Sequence, residues 1–203
     1  MGCRFLIFVV LVKLAAGQSS LSPGTDPNGA YQPITGSGRV GWAVRDTLGL
    51  PSLLGGVISA GWGTELDHPP EYGTHWLGFS KRYGMRMTGI ATESAMEVSL
   101  GALWGEDPRY FRDAGAPFGA RVRHVFKFTF FALDRDGDAR PAYARYAALS
   151  GSSFLSNTWR AGSEADTSHA VERIGLGFLG RLGKNAAMEF WPDVRARVFH
   201  FGR

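Results

Sequence analysis

The sequence predicts an all-α fold, a single-domain helical bundle whose helices meet through glycine and alanine. Three observations carry this expectation. The stretch from about 71 to 104 has no internal proline, reads as the longest helix of the chain, and stops at Gly105-Glu106-Asp107-Pro108. Small residues recur at four-residue spacing, as in Gly55, Ser59 and Gly63, which lets helix backbones approach closely. Turn-forming clusters at 63–70 and 134–141 divide the remainder into segments of helical length, with no internal repeat or sustained heptad.

In chain order, Arg4, the apolar run Phe5 to Val12 and the small residues Ala15, Ala16 and Gly17 read as a secretory signal peptide over 1–17. Lys13 stops the run well short of the ~20 residues a membrane span needs. The rival reading is an uncleaved anchor. The lone cysteine, Cys3, precedes the apolar run and leaves with the leader, so the exported domain must hold itself by packing without disulfides. Residues 18–38, rich in Ser, Pro, Gly and Asn, read as a flexible lead-in, and 39–203 as the helical domain.

Within that domain Trp42, Val44, Leu48 and Leu50 mark a short helix, and Pro51 opens a second that reaches about Trp62. After the long segment, 118–133 reads as helix, although Phe126, Phe128 and Phe130 alternate with Lys127 and Thr129 as a strand would. A turn at 134–141, a helix over 142–157 and a last long helix from Ser168 to Phe190, interrupted by Pro192, complete the chain.

On a helical wheel, the long segment gathers Gly73, Leu77, Gly84, Ala91, Ala95, Val98 and Ala102 on one side. Glycine inside a helix costs ~1 kcal/mol relative to alanine, so this side is expected to gain by helix-to-helix contact. The opposite side collects Glu71, His75, Arg82, Arg86, Glu93 and Glu97 within about 80°. These six are the candidate site: either a solvated face with weak ion pairs, or a polar seam inside the bundle able to bind an anionic ligand or move protons. On the last helix Gly175, Phe178, Leu179, Leu182, Ala186 and Phe190 form an apolar stripe, and Trp42, Trp62, Trp76, Trp104 and Trp191 sit near helix ends.

Other motifs carry less. Glu65-x-x-His68, Glu71-x-x-x-His75 and His169-x-x-Glu172 have metal-ligand spacing but lack helical context or partners, so no metal or cofactor is expected. The run Asp134 to Asp138 departs from a calcium loop at Ala139 and Arg145, where glycine and a bidentate Glu belong, and reads as a surface turn. Glu106-Asp107-Pro108-Arg109-Tyr110-Phe111-Arg112 reads as a helix stop followed by arginines covering apolar surface. There is no Gly-x-Ser-x-Gly, no phosphate-binding glycine loop and no cysteine nucleophile to support a hydrolase or nucleotide-binding reading.

Four segments, Pro70-Glu71-Tyr72-Gly73, Gly78-Phe79-Ser80-Lys81-Arg82-Tyr83-Gly84, Glu106-Asp107-Pro108-Arg109-Tyr110 and Glu189-Phe190-Trp191-Pro192-Asp193, resemble a family of uncharacterised exported proteins frequent in acidobacteria. The resemblance implies an all-helical domain behind a signal peptide, with no assigned activity. The chain departs from it at Asn157-Thr158-Trp159-Arg160, where a tyrosine-rich segment is expected.

The formal charge of +4 loses Arg4 and Lys13 with the leader, and acids are interspersed among the arginines, which excludes a basic nucleic-acid surface. The expected function is therefore that of an exported, envelope-associated structural or interaction protein, with self-association or contact with a membrane surface. The alternative is a ligand-binding or enzymatic bundle using the polar stripe.

Overall fold

The computed structural model describes residues 31–199. The expected signal peptide and most of the lead-in lie outside the described residues. The regular structure of the described part is helical apart from one short hairpin, as the all-α expectation requires.

Helix begins before Arg39, inside the expected lead-in. Thr35 caps helix α1 (Gly36–Leu48) by accepting from the Gly38 amide at 3.1 Å. Gly49 ends α1; a Cβ there would lie 2.3 Å from the Arg45 carbonyl oxygen. Pro51 then occupies the first turn of α2 (Leu50–Glu65), where its missing N–H costs nothing. The two helices form one broken rod running antiparallel to α3 (Trp76–Trp104). Asp46 meets Ser94 at 2.9 Å, and a Cβ on Gly56 or Gly63 would press on Tyr83 or Arg82.

The long segment starts later than expected. Pro70–Tyr72 is a 3-10 turn and Gly73 takes φ 76°, a left-handed conformation that breaks the helix and leaves Glu71 and His75 outside it. Helix α4 (Phe118–Phe130) passes into β1 (Phe131–Leu133), which pairs antiparallel with β2 (Ala139–Pro141). The expected helix over 118–133 is thus three residues too long. The turn between the strands is closed by Asp134, whose carboxylate accepts the Asp136 and Asp138 amides at 2.9 and 3.0 Å, with Gly137 at φ 87°.

Helix α5 (Tyr143–Leu155) returns along α3, and α6 (Thr167–Phe199) packs against both α5 and α4. At 33 residues α6, not α3, is the longest helix among the described residues, and it runs through Pro192 instead of stopping there. A proline removes the amide that the Met188 carbonyl would receive and loosens the adjacent turn. The neighbouring Glu189 carbonyl here accepts from Arg112 Nε at 2.8 Å and Arg121 Nη2 at 2.5 Å, so cations from 112 and 121 support the ladder where proline weakens it.

The interior is small and polar. Val125, Leu149 and several alanines are its buried apolar members, whereas the largest fully buried side chains are Glu189, Thr129, Asp107 and Ser94. Many large apolar side chains lie outside. Trp62 and Trp76 are 70% and 78% exposed, and Ile58, Leu103, Phe118, Leu179 and Val198 are exposed as well.

Candidate functional site

The predicted stripe divides in the folded chain. Glu71, off the helix, accepts from the Ser163 amide at 3.1 Å and its hydroxyl at 2.9 Å; bonds from its own amide and from Ser163 hold its carboxyl below the usual range. His75 is exposed just ahead of α3. Arg86 is exposed beside Ser59, 3.4 Å away. Arg82, Glu93 and Glu97 turn inward.

Arg82 clasps the loop that follows α2. Its guanidinium donates to the carbonyls of His68 (2.8 Å), Pro69 (2.8 Å) and Gly73 (2.5 Å), and it meets Asp67 at 3.4 Å. Gly78 permits this, since a Cβ there would lie 2.0 Å from the Gly73 oxygen. Arg82 therefore fastens the start of α3 to the end of α2.

Glu97 centres the bundle. It accepts from Arg145 Nε at 3.1 Å and contacts Arg181 of α6 through its other oxygen. Arg145 Nη1 in turn donates to the carbonyls of Phe128, Thr129 and Phe131 at 3.0 to 3.2 Å, capping the end of α4. Glu93 lies 3.9 Å from Arg181; burial pushes its carboxyl above the usual range, against the pull of that cation. Lys184 contacts Asp46, and Asn185 donates to Phe128 O and Thr129 Oγ1, both at 3.3 Å. Arg181 and Lys184 each stand 5.6 Å from the centre of the Trp42 ring.

A second network sits where α4 meets the end of α6. Glu189 accepts from Tyr110 Oη at 2.8 Å, the Asp113 amide at 3.2 Å and Arg121 Nε at 2.6 Å. Arg121 continues to Asp193 at 2.7 Å, and Arg112 also contacts Asp193. Burial alone would raise the Glu189 carboxyl, but the bonds from Arg121, Tyr110 and Asp113 outweigh it and hold it below the usual range. Burial and the Glu189 bond both push the Tyr110 hydroxyl upward. Nearby, Asp107 receives Arg109 through both carboxylate oxygens and Tyr31 Oη at 3.0 Å, while Glu106 accepts the Ala144 amide at 2.9 Å at the start of α5.

Arg109 and Arg112 are thus ion-paired, and Arg109 also covers apolar surface as expected, its guanidinium 5.1 Å from the centre of the Phe111 ring. Sequence reasoning also missed Arg145, Arg181, Lys184, Asn185 and Glu189 as members of the interior. The signal for Glu189 was available, an acid between Met188 and the apolar pair Phe190-Trp191.

The small-residue side of α3 faces outward. Gly84, Ala95 and Ala102 are exposed, Ala91 is half-buried, and Gly73 lies off the helix. This reverses the expected packing side: α3 turns Glu97 toward Arg145 and Arg181, which would otherwise be left as unpaired charges in the interior. Close helix contacts rest on other glycines, Gly56 against Tyr83, Gly151 against Met96 and Gly177 against Leu149, while Gly101 makes room for the Glu106 carbonyl.

Chemically these networks hold helices together. The interior acids and cations are tied to one another or to backbone groups, and among the described residues no group of three or more His, Cys, Asp and Glu is placed to hold a metal. No protein-family model, curated protein or solved structure matches the chain.

Proposed function

We propose that the protein is an exported, envelope-associated interaction protein that rests an apolar flank on a lipid surface. One observation carries this reading. Along α6 from 173 to 196, roughly 36 Å of helix, every exposed residue is apolar or glycine, among them Leu176, Leu179, Met188, Trp191 and Val194. The charges of that stretch, Arg173, Arg181, Lys184, Glu189, Asp193 and Arg195, are all turned at least partly away from solvent. Exposed apolar surface on this scale marks a contact site.

Neighbouring elements repeat the pattern. From 87 to 104 the exposed residues of α3 are uncharged, and α5 exposes Tyr143, Phe154 and Leu155. Exposed charges gather beyond these stretches, at Glu65, His68 and Glu71 and at Arg135, Asp136 and Arg140. Among the described residues no helix is long and apolar enough to cross a membrane. The proposal is accordingly a flank lying against the bilayer, with Trp62, Trp76 and Trp191 suited to the headgroup boundary. Export rests on the leader expected at 1–17.

Co-flotation of the purified chain with phosphatidylcholine vesicles tests it. Flotation that persists at high salt supports an apolar contact, since salt screens ionic attraction. A chain that stays with the soluble fraction, either as a monomer or as a dimer without affinity for lipid, overturns it.

A further inference from the structure

The network around Glu97 leaves an open cleft between α1, the Pro108–Tyr110 segment and α6, lined by Trp42, Tyr110, Arg145, Arg181, Lys184 and Asn185 among others. Three of these are cations, and no carboxylate among the described residues lines it. The acids that balance them stand behind the wall: Glu97 and Glu93 pair with Arg181, and Asp46 contacts Lys184. The enclosed part measures about 40 Å³, room for a few waters or one compact oxyanion.

We infer that this cleft binds a compact oxyanion of the phosphate class, held by Lys184 and Arg181 beside the Trp42 ring. Arg181 spends Nη2 on Glu97 and has no hydrogen bond from Nε or Nη1 among the described residues. Lys184 carries three donor protons and meets one carboxylate. Both are held against Trp42 at 5.6 Å, so the site is organised before the ligand arrives, which lowers the ordering cost of binding. Burial also favours the neutral form of Glu93, which reduces the negative charge competing for Arg181. A second concavity is lined by Glu97, Glu106 and Asp107 and has no free volume, so the same argument does not extend to it.

The oxyanion is either free in solution or the phosphate of an acidic lipid, and the two sources separate in one experiment. Inorganic phosphate is titrated into the whole chain at fixed ionic strength while the indole N–H signal of Trp42, assigned with Trp42→Phe, is followed by NMR. In parallel, vesicles of phosphatidylcholine are compared with vesicles containing phosphatidylglycerol. Saturable movement of the Trp42 signal with phosphate points to a soluble ligand; movement only with phosphatidylglycerol points to a headgroup. In either arm Lys184→Gln weakens binding about tenfold and Lys184→Arg retains it. The inference is overturned if Trp42 responds to neither probe, or if Lys184→Gln folds and binds as tightly as the parent. If Lys184→Gln does not fold, the parent's Trp42 response decides alone. Flotation with phosphatidylcholine without a Trp42 response leaves the lipid flank standing and removes this site.

Discussion

Glu97 and Arg145 meet at 3.1 Å with side chains only 3% and 4% exposed, and through this pair α3 is tied to the end of α4. Removing one partner leaves the other charged and dry, which costs about 3–5 kcal/mol for a buried pair. Glu97→Ala takes the carboxylate from Arg145 and leaves Arg181 only Glu93, 3.9 Å away, so its loss of unfolding free energy belongs in that range. Denaturant unfolding checks this. A loss under about 1 kcal/mol contradicts the interior placement of Glu97.

Two glycines on α3 give opposite expectations. Gly78→Ala places a methyl 2.0 Å from the Gly73 oxygen and 2.7 Å from that of Tyr72, both backbone atoms, so the Arg82 clasp must open. Overpacking of this kind costs about 1–3 kcal/mol. Gly84→Ala meets nothing within 4 Å on an exposed helix surface and gains about 0.4–1 kcal/mol by restricting the unfolded chain. Thermal unfolding of the two variants, with melting points moving apart from the parent in opposite directions, reports directly which side of α3 is covered.

Acid sensitivity is expected at Glu189. Its carboxyl is held below the unfolded value of about 4.5 by Arg121, Tyr110 and the Asp113 amide despite burial. In the window below 4.5 the unfolded chain binds more protons than the folded one, so stability falls as pH drops through the folded value. Asp193, held low by Arg112 and Arg121, adds to the same trend. Denaturation midpoints across the acid range show a steep decline in the parent and a shallower one in Glu189→Gln. Equal slopes place the acid sensitivity elsewhere.

The opposite sign holds for Glu93, whose carboxyl burial pushes up. There the folded chain retains its proton longer, so this group withdraws stability as pH rises from the unfolded value through the folded one. Glu93→Gln removes that decline and is as stable as the parent or more stable at neutral pH, as judged by urea midpoints. A marked loss at pH 7 shows instead that Arg181 needs the charge.

Helix content was readable from the sequence because helix stops are local chemistry: Gly105 at φ 81°, Pro51 in a first turn and the Asp134 turn each act within a few residues. Helix orientation was not. Wheel arithmetic separated the Gly84 side of α3 from the Glu97 side, but which side faces inward depends on Arg145 and Arg181, 48 and 84 residues away along the chain. The usual rule sends charge outward, and here it fails because Glu97 finds its partners on α5 and α6 and Glu189 finds Arg121 on α4. Glu71 and His75 were misplaced for a simpler reason. The left-handed Gly73 ends the pattern before the helix begins, and no proline within 71–104 announces the break.

The exposed leucines of α6 supply the sharpest test of the lipid flank. Leu176 and Leu179 are 57% and 63% exposed, so replacing both with glutamate leaves folding nearly unchanged, as surface substitutions do within about 0.5 kcal/mol each. On a bilayer the same two side chains are buried, at about 1.5–3 kcal/mol apiece. Leu176→Glu with Leu179→Glu is expected to lower vesicle partition upward of about a hundredfold, while Asp138→Ser on the hairpin leaves it unchanged. Circular dichroism confirms that both variants fold. Retention of full vesicle binding by the leucine variant moves the contact to another surface of the bundle, and the uncharged exposed side of 87–104 in α3, with α5, is then the next one to alter.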